Sequence, residues 1–327
     1  MKTTAFLVPL LLALWLLAPP AARADTCGAA MTDVVFSNVN PIAGTDVYAS
    51  GTLTVTCSFS VLSPNTLLPT LSVCVSLGGA GGAWRTMSSG SATLPFNLYT
   101  DSSYTAAAIW GSAAVPGTAQ FSFSGGGLLG IGSGSKSWQV YGKIPGSAIR
   151  TVPTSGGADT TYVADFSGRG VIQYAFGGLA TPSCTTGSSA AFSFQARATV
   201  VNDCQISVGQ LSFGTSKVLN AAVRASTTMS VLCTAGKPYQ VSLSAGNYGS
   251  GGARRMRNAA TGETVGYQLS SSYDGSQWGD GGGGGGVPLG GTGTGAAQAI
   301  TVYGRVSPQA TPSPGDYTDT VTATLYF

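Results

Sequence analysis

Six cysteines are the residues of this 327-residue chain most able to do chemistry. Histidine is absent, which removes the commonest general base and metal ligand. The acidic residues are few and scattered, so no Ser- or Asp-centred constellation stands out. An even set of thiols downstream of an export leader points to disulfides. Cys27…Cys57 and Cys204…Cys233 enclose near-equal spans at matching places in two halves of the chain, so each pair is expected to close within its own half. Cys74 and Cys184 remain and are paired by elimination. The expectation is a non-enzyme with three structural bridges, no metal and no cofactor.

The elements that hold these cysteines repeat. Trp84-Arg85-Thr86-Met87 is answered by Arg254-Arg255-Met256, with Arg85 set against Arg255, and Trp110-Gly111 by Trp278-Gly279. Val140-Tyr141-Gly142-Lys143-Ile144 returns as Val302-Tyr303-Gly304-Arg305-Val306. Tyr174-Ala175-Phe176 is matched to Leu325-Tyr326-Phe327. Such order over so long a stretch means two copies of one domain. Helical periodicity is nearly absent. Short alternating or β-branched runs such as Leu53–Cys57, Gln139–Ile144 and Thr227–Cys233 are separated by Gly, Ser, Asn and Pro. They read as all-β: two tandem immunoglobulin-like sandwiches. The glycine tract 279–295 reads as a flexible loop.

Residues 1–24 have a signal peptide's parts: Lys2, an apolar run from Phe6 to Leu17, and the Ala22-Arg23-Ala24 cleavage pattern. Fifteen basic residues oppose twelve acidic ones, and two of the basic ones fall in that leader. The balance argues against nucleic acid as a partner. Charged residues are only 8% of the chain, a composition suited to an exported assembly.

The boundaries follow: 25–186 for the first domain, 187–200 for a linking segment, 201–327 for the second. The second domain stops at Phe327 directly after an alternating strand, so it is expected to lack its last strand and to need a partner's strand there. In the linking segment Phe192, Phe194, Ala196, Ala198 and Val200 fall on one strand face. Its first half is expected to complete the first domain and its second half to open the second. A plain first strand of the second domain is the alternative.

Asp203-Cys204-Gln205-Ile206, Leu211-Ser212-Phe213-Gly214, Ser230-Val231-Leu232-Cys233-Thr234 and Pro314-Gly315-Asp316-Tyr317-Thr318-Asp319-Thr320-Val321, in this order, resemble the spore coat U-type domain of archaic chaperone–usher (Csu-type) pili. The resemblance implies a pilin fold held by a periplasmic chaperone, exported through an outer-membrane usher and completed by the donor strand of an adjacent pilin subunit. A two-domain member whose donor-like segment (Phe192, Phe194, Ala196) is tethered behind an extra domain resembles a tip adhesin at the cell surface.

Three loops are longer in the first copy than in the second, and loops on a rigid sandwich are where binding resides. Two of them are apolar. One carries Leu62, Leu67 and Leu68, the other Leu128, Leu129 and Ile131. Apolar patches of this kind mark an interaction surface for hydrophobic surfaces, unless the side chains fold back over the sandwich ends. The family's tip adhesins, with finger-like loops that grip non-polar surfaces, resemble this plan. The third segment, Ser147–Val163, is more polar. Trp110 reads as scaffold because Trp278 repeats it, Trp138 reads as core, and Trp84 has no aromatic counterpart. Two rival readings are a glycan-binding lectin, which needs polar groups converging beside an aromatic platform, and a coat or matrix protein.

Overall fold

A computed structural model describes residues 25–58, 70–78, 84–126, 133–178, 180–250, 252–282 and 285–327. The leader therefore lies outside the described residues. The strands form where small β-branched and apolar residues alternate with Ser and Thr. Gly51, Leu53, Val55 and Cys57 of one strand are buried, for instance, while Thr52, Thr56 and Ser58 face solvent.

The first sandwich contains β1 (Thr26–Met31), β2 (Val34–Val39), β3 (Val47–Ser58), β4 (Thr70–Leu77), β5 (Arg85–Ser89), β6 (Ala92–Tyr99), β7 (Phe121–Gly126), β8 (Ser133–Ile144), β9 (Thr160–Asp165), β10 (Gly170–Gly177), β11 (Ser188–Phe192) and β12 (Gln195–Val200). An eight-stranded sheet, β1-β3-β8-β6-β5-β9-β12-β2, covers a four-stranded one, β11-β10-β4-β7. Phe36, Leu53, Phe96, Trp110 and Tyr162 are fully buried between them.

The second sandwich contains β13 (Cys204–Val208), β14 (Val223–Cys233), β15 (Pro238–Leu243), β16 (Arg254–Arg257), β17 (Thr264–Ser270), β18 (Leu289–Thr292), β19 (Gln298–Val306) and β20 (Ala323–Tyr326). Its sheets are β13-β14-β19-β17-β16 and β18-β15-β20. Strand β18 lies inside the glycine tract read as a flexible loop. Its backbone pairs with β15 without needing side chains.

The repeat is physical as well as textual. Trp110 Nε1 donates to Val75 O at 3.1 Å and Trp278 Nε1 to Val241 O at 2.8 Å. Each tryptophan carbonyl accepts from a buried arginine, Arg85 in the first copy and Arg254 in the second. The arginine match is thus Arg85 to Arg254, not Arg255, because only Arg254 points into the core. Burial pulls the Arg85 guanidinium down to about 10, still charged at neutral pH. The last strand shifts too. Ile172 faces Val75 as Leu325 faces Val241, so Leu325 matches Ile172 rather than Tyr174. The shift is two residues, which preserves the inward face.

The segment 188–200 departs from its expected division. β11 adds to β10, and β12 lies between β9 and β2 in the opposite sheet. Both halves therefore belong to the first sandwich, and the second begins at β13. The reason is burial: Phe192, Phe194, Ala196, Ala198 and Val200 all lie in the first core.

Beyond Val200 the domains meet through polar contacts. Val201 N donates to Val39 O at 3.0 Å, and Asn40 Nδ2 to Asp203 Oδ2 at 2.7 Å. Thr154 Oγ1 donates to Asn202 Oδ1 at 2.6 Å, and Lys237 Nζ to Gly157 O at 2.6 Å. Part of the enlarged third segment, Ser147–Val163, thus serves this junction.

Candidate functional site: a distal end and an empty strand place

Strand register fixes where the two leucine-bearing loops are rooted. Ser58 pairs with Ser133 in one sheet, and Thr70 pairs with Gly126 in the other. The loop 59–69 leaves Ser58 and returns at Thr70, and the loop 127–132 leaves Gly126 and returns at Ser133. Both therefore spring from one end of the first sandwich. β8 then runs about 35 Å, at roughly 3.4 Å per residue, to Ile144, and the segment after it reaches the second domain. The loop roots stand at the end remote from that domain. Leu62, Leu67, Leu68, Leu128, Leu129 and Ile131 themselves lie outside the described residues.

This end is braced. Cys27 faces Cys57 across β1 and β3 and is bonded to it, one residue before the first loop departs. Cys74 of β4 is bonded to Cys184, which ties the 180–187 segment to the second sheet. Thr70 Oγ1 donates to Ala180 O at 2.9 Å beside it. In the second domain Cys204 and Cys233 repeat the β1–β3 bridge between β13 and β14. Trp110 is wholly buried, and Trp138 packs half-buried against Phe121 and Phe123, with ring centroids 5.6 and 5.7 Å away. Trp84 is exposed but precedes β5 at the level of Asn97 and Lys143, away from the distal end.

The second candidate emerges on superposing the copies. A Cβ added to Gly142 of β8 would meet Phe36 at 2.6 Å and Val34 at 3.0 Å. One added to Gly304 of β19 would meet Phe213 at 2.8 Å and Leu211 at 2.9 Å. Leu211 and Phe213 therefore stand where β2 stands in the first copy. The bridge between Ser88 and Val163 likewise recurs between Arg257 and Thr318, so the chain near Thr318 stands where β9 stands. Tyr162 Oη donates to Pro153 O at 2.6 Å and Tyr317 Oη to Ser313 O at 2.7 Å, which fixes the same correspondence.

Between β2 and β9 the first copy holds β12, parallel to β2 and antiparallel to β9. Between Leu211–Phe213 and Thr318 no strand of the described residues pairs. The consequence is visible in burial. Val34 and Phe36 are sealed, whereas Leu211 and Phe213 are partly open, and Val321, Ala323 and Leu325 are only half-buried. β20 is likewise an edge strand, where β10 carries β11 on that flank.

In the first copy Phe194 stacks on Phe166 at 4.7 Å and on Trp110 at 6.0 Å. The second copy holds the rim of its gap in place instead. Tyr267 Oη donates to Asp319 Oδ2 at 2.7 Å, and burial, then that carboxylate, holds the phenol protonated far above its ordinary range. An apolar floor between unpaired backbone edges is a receptor for an extended strand.

A family model for the spore coat protein U domain matches residues 13–164 and again 190–324. Among solved structures, the chain is similar to the Csu pilus chaperone–tip subunit pre-assembly complex of Acinetobacter baumannii. That match has 16% identity and a TM-score of 0.50, and it covers 92% of this chain and 100% of that one. A chaperone–tip adhesin complex of CFA/I fimbriae aligns at 9% identity over 93% of this chain and 97% of that one, with a TM-score of 0.31, too low to carry an argument. A search of curated proteins finds no match.

Proposed function

Because the chain belongs to the spore coat protein U domain family, we propose that it is an exported pilus subunit that ends a fibre and attaches it to surfaces. The carrying observation is that one strand place is filled by β12 in the first domain and, among the described residues, is open in the second. The second domain takes its missing strand from an adjacent pilin subunit, after a periplasmic chaperone has covered the gap and an outer-membrane usher has delivered the subunit. The similarity to a chaperone–tip subunit complex supports this reading. The first domain, self-complete, keeps its own donor-like strand and offers none to a neighbour.

Attachment runs through Leu62, Leu67, Leu68, Leu128, Leu129 and Ile131, whose loops are rooted together at the remote end. The contact is apolar, worth about 1–3 kcal/mol for each leucine that is covered, and multiplied by avidity when many fibres act together. Replacing Leu67, Leu68, Leu128 and Leu129 with Ser tests this. Attachment to hydrophobic plastic should collapse while pili still assemble, and added salt should weaken wild-type attachment little. Normal attachment by an assembled quadruple variant would remove the loops from the mechanism.

A further inference from the structure

The first domain carries an aromatic platform away from its distal end. Tyr48 of β3, Tyr104 of the loop after β6 and Tyr141 of β8 meet on the outer face of the eight-stranded sheet. Ring centroids lie 4.7 Å apart for Tyr48–Tyr104 and 6.2 Å for Tyr104–Tyr141, and the buried Tyr99 closes the set from below at 5.3 Å. Tyr48 is 52% exposed, so the platform presents a face rather than a covered cluster. Lys143 lies 5.8 Å from that ring's centroid and bonds Asp46 at 2.7 Å. Asp46 also accepts from Gly146 N at 2.8 Å and from Tyr48 Oη at 3.3 Å.

Tyr104 adopts a left-handed backbone, φ 51°, which costs a non-glycine residue energy. The turn is set by Asp101, which accepts from Ser103 N at 2.8 Å, and by the Ser103–Thr105 hydroxyl pair at 3.1 Å.

The second copy shows what the fold alone requires here. Its equivalent turn is also left-handed, at Asp274 with φ 50°, and Tyr303 repeats Tyr141. Tyr273 beside it packs on Tyr303 with ring centroids 6.1 Å apart, as Tyr104 packs on Tyr141. Tyr48 and Lys143 are replaced by Arg224 and Arg305, and Arg224 lies over the Tyr273 ring at 5.3 Å while it binds Asp274 through two hydrogen bonds of 3.0 and 2.7 Å. The turn and its tyrosine pair belong to the fold; the third exposed ring, Tyr48, belongs to the first copy alone.

We propose that this platform is a saccharide site for a neutral pyranose. A pyranose stacks its C–H face on an open aromatic ring while its hydroxyls reach polar groups at the rim. Lys143 keeps ammonium protons beyond the one given to Asp46, and the Tyr48 phenolic oxygen still accepts. The Lys143–Asp46 pair cancels its own charge, and Asp101 sits on the neighbouring turn, so the site favours neutral over acidic sugars.

The site is independent of strand acceptance and of the leucine loops. Saturation-transfer NMR on the full chain, with methyl glycosides of glucose, galactose and mannose as probes, tests it. Ring-proton saturation is expected for at least one glycoside. It should fall at least fivefold in Tyr48→Ala and in Tyr48→Arg, the latter placing the residue that the second copy already tolerates there. The variant with Ser at 67, 68, 128 and 129 should keep the signal. Absence of saturation for all three glycosides, or its survival in both Tyr48 variants, overturns the proposal.

Discussion

Phe36 and Phe213 stand over equivalent glycines in two copies of one fold, yet only Phe36 is sealed from solvent. The difference traces to β12, whose Ala196, Ala198 and Val200 close the first core beside β2. The second copy keeps every neighbour of that place and lacks its occupant among the described residues. One molecule thus shows the same sandwich complete and open. The lesson is that β11 and β12 separate a closed core from an open one in what is otherwise the same fold.

The comparison can be broken most forcefully by removing the completing strand. Residues 25–200 should melt cooperatively, and residues 25–186 should not fold. The truncation removes five buried side chains, together about 5–10 kcal/mol, comparable to a domain's whole stability of about 5–15 kcal/mol. Equal melting of the two fragments, followed by circular dichroism, would show that β11 and β12 complete nothing.

A point substitution sharpens the same contrast. Phe194→Ala removes a ring stacked between Phe166 and Trp110 and should cost about 3–5 kcal/mol in chemical denaturation. Phe213→Ala, in the open copy, should cost about 1–2 kcal/mol, because its ring is already partly wet. Comparable losses would mean that the two cores are equally closed.

The Cys74–Cys184 bridge has no equivalent in the second copy. Replacing both residues with Ala opens a loop spanning 110 residues and should lower stability by about 2–4 kcal/mol. The melting temperature of residues 25–200 would register it.

Smallest is the Asp46 anchor, which the second copy replaces with Ala222. Hydrogen bonding from Gly146 N–H, then Lys143, holds its carboxyl below the usual carboxylate range. The stabilisation is present above the unfolded carboxylate value of about 4 and is lost only as pH falls through the lower folded value. The Gly146 amide shift should therefore stay constant from neutral pH to about 5 and move only below about 4.

Much of this was legible beforehand. The duplicated Cys, Trp-Gly and Val-Tyr-Gly segments disclosed two sandwiches, because the residues that build a scaffold recur wherever it recurs. The place of β12 was not, since inward alternation names a buried face without naming the sheet that buries it. β18 was hidden among glycines, which pair through backbone and leave no side-chain pattern. The tyrosine platform was invisible for a different reason. Tyr48, Tyr104 and Tyr141 come from separate elements, and only the pairing of β3 with β8 and the turn after β6 bring them together. The partner of Arg85 was hidden as well, because adjacent Arg254 and Arg255 look alike in sequence and only Arg254 is buried.

The central claim is that the gap between Leu211–Phe213 and Thr318 is a strand place. Amide hydrogen exchange on the full chain tests it most directly, with and without a copy of residues 188–200 fused by a flexible linker after Phe327. The Thr318 amide is already bonded to Arg257 O, so the amides that face the gap are those of Tyr317 and Asp319. Amides at 211–213 and at Tyr317 and Asp319 should exchange rapidly in the unfused chain and become protected at least a hundredfold in the fusion, while those of β9 and β2 stay unchanged. Protection of 211–213, Tyr317 and Asp319 already present without the added segment, or no gain with it, would contradict the account.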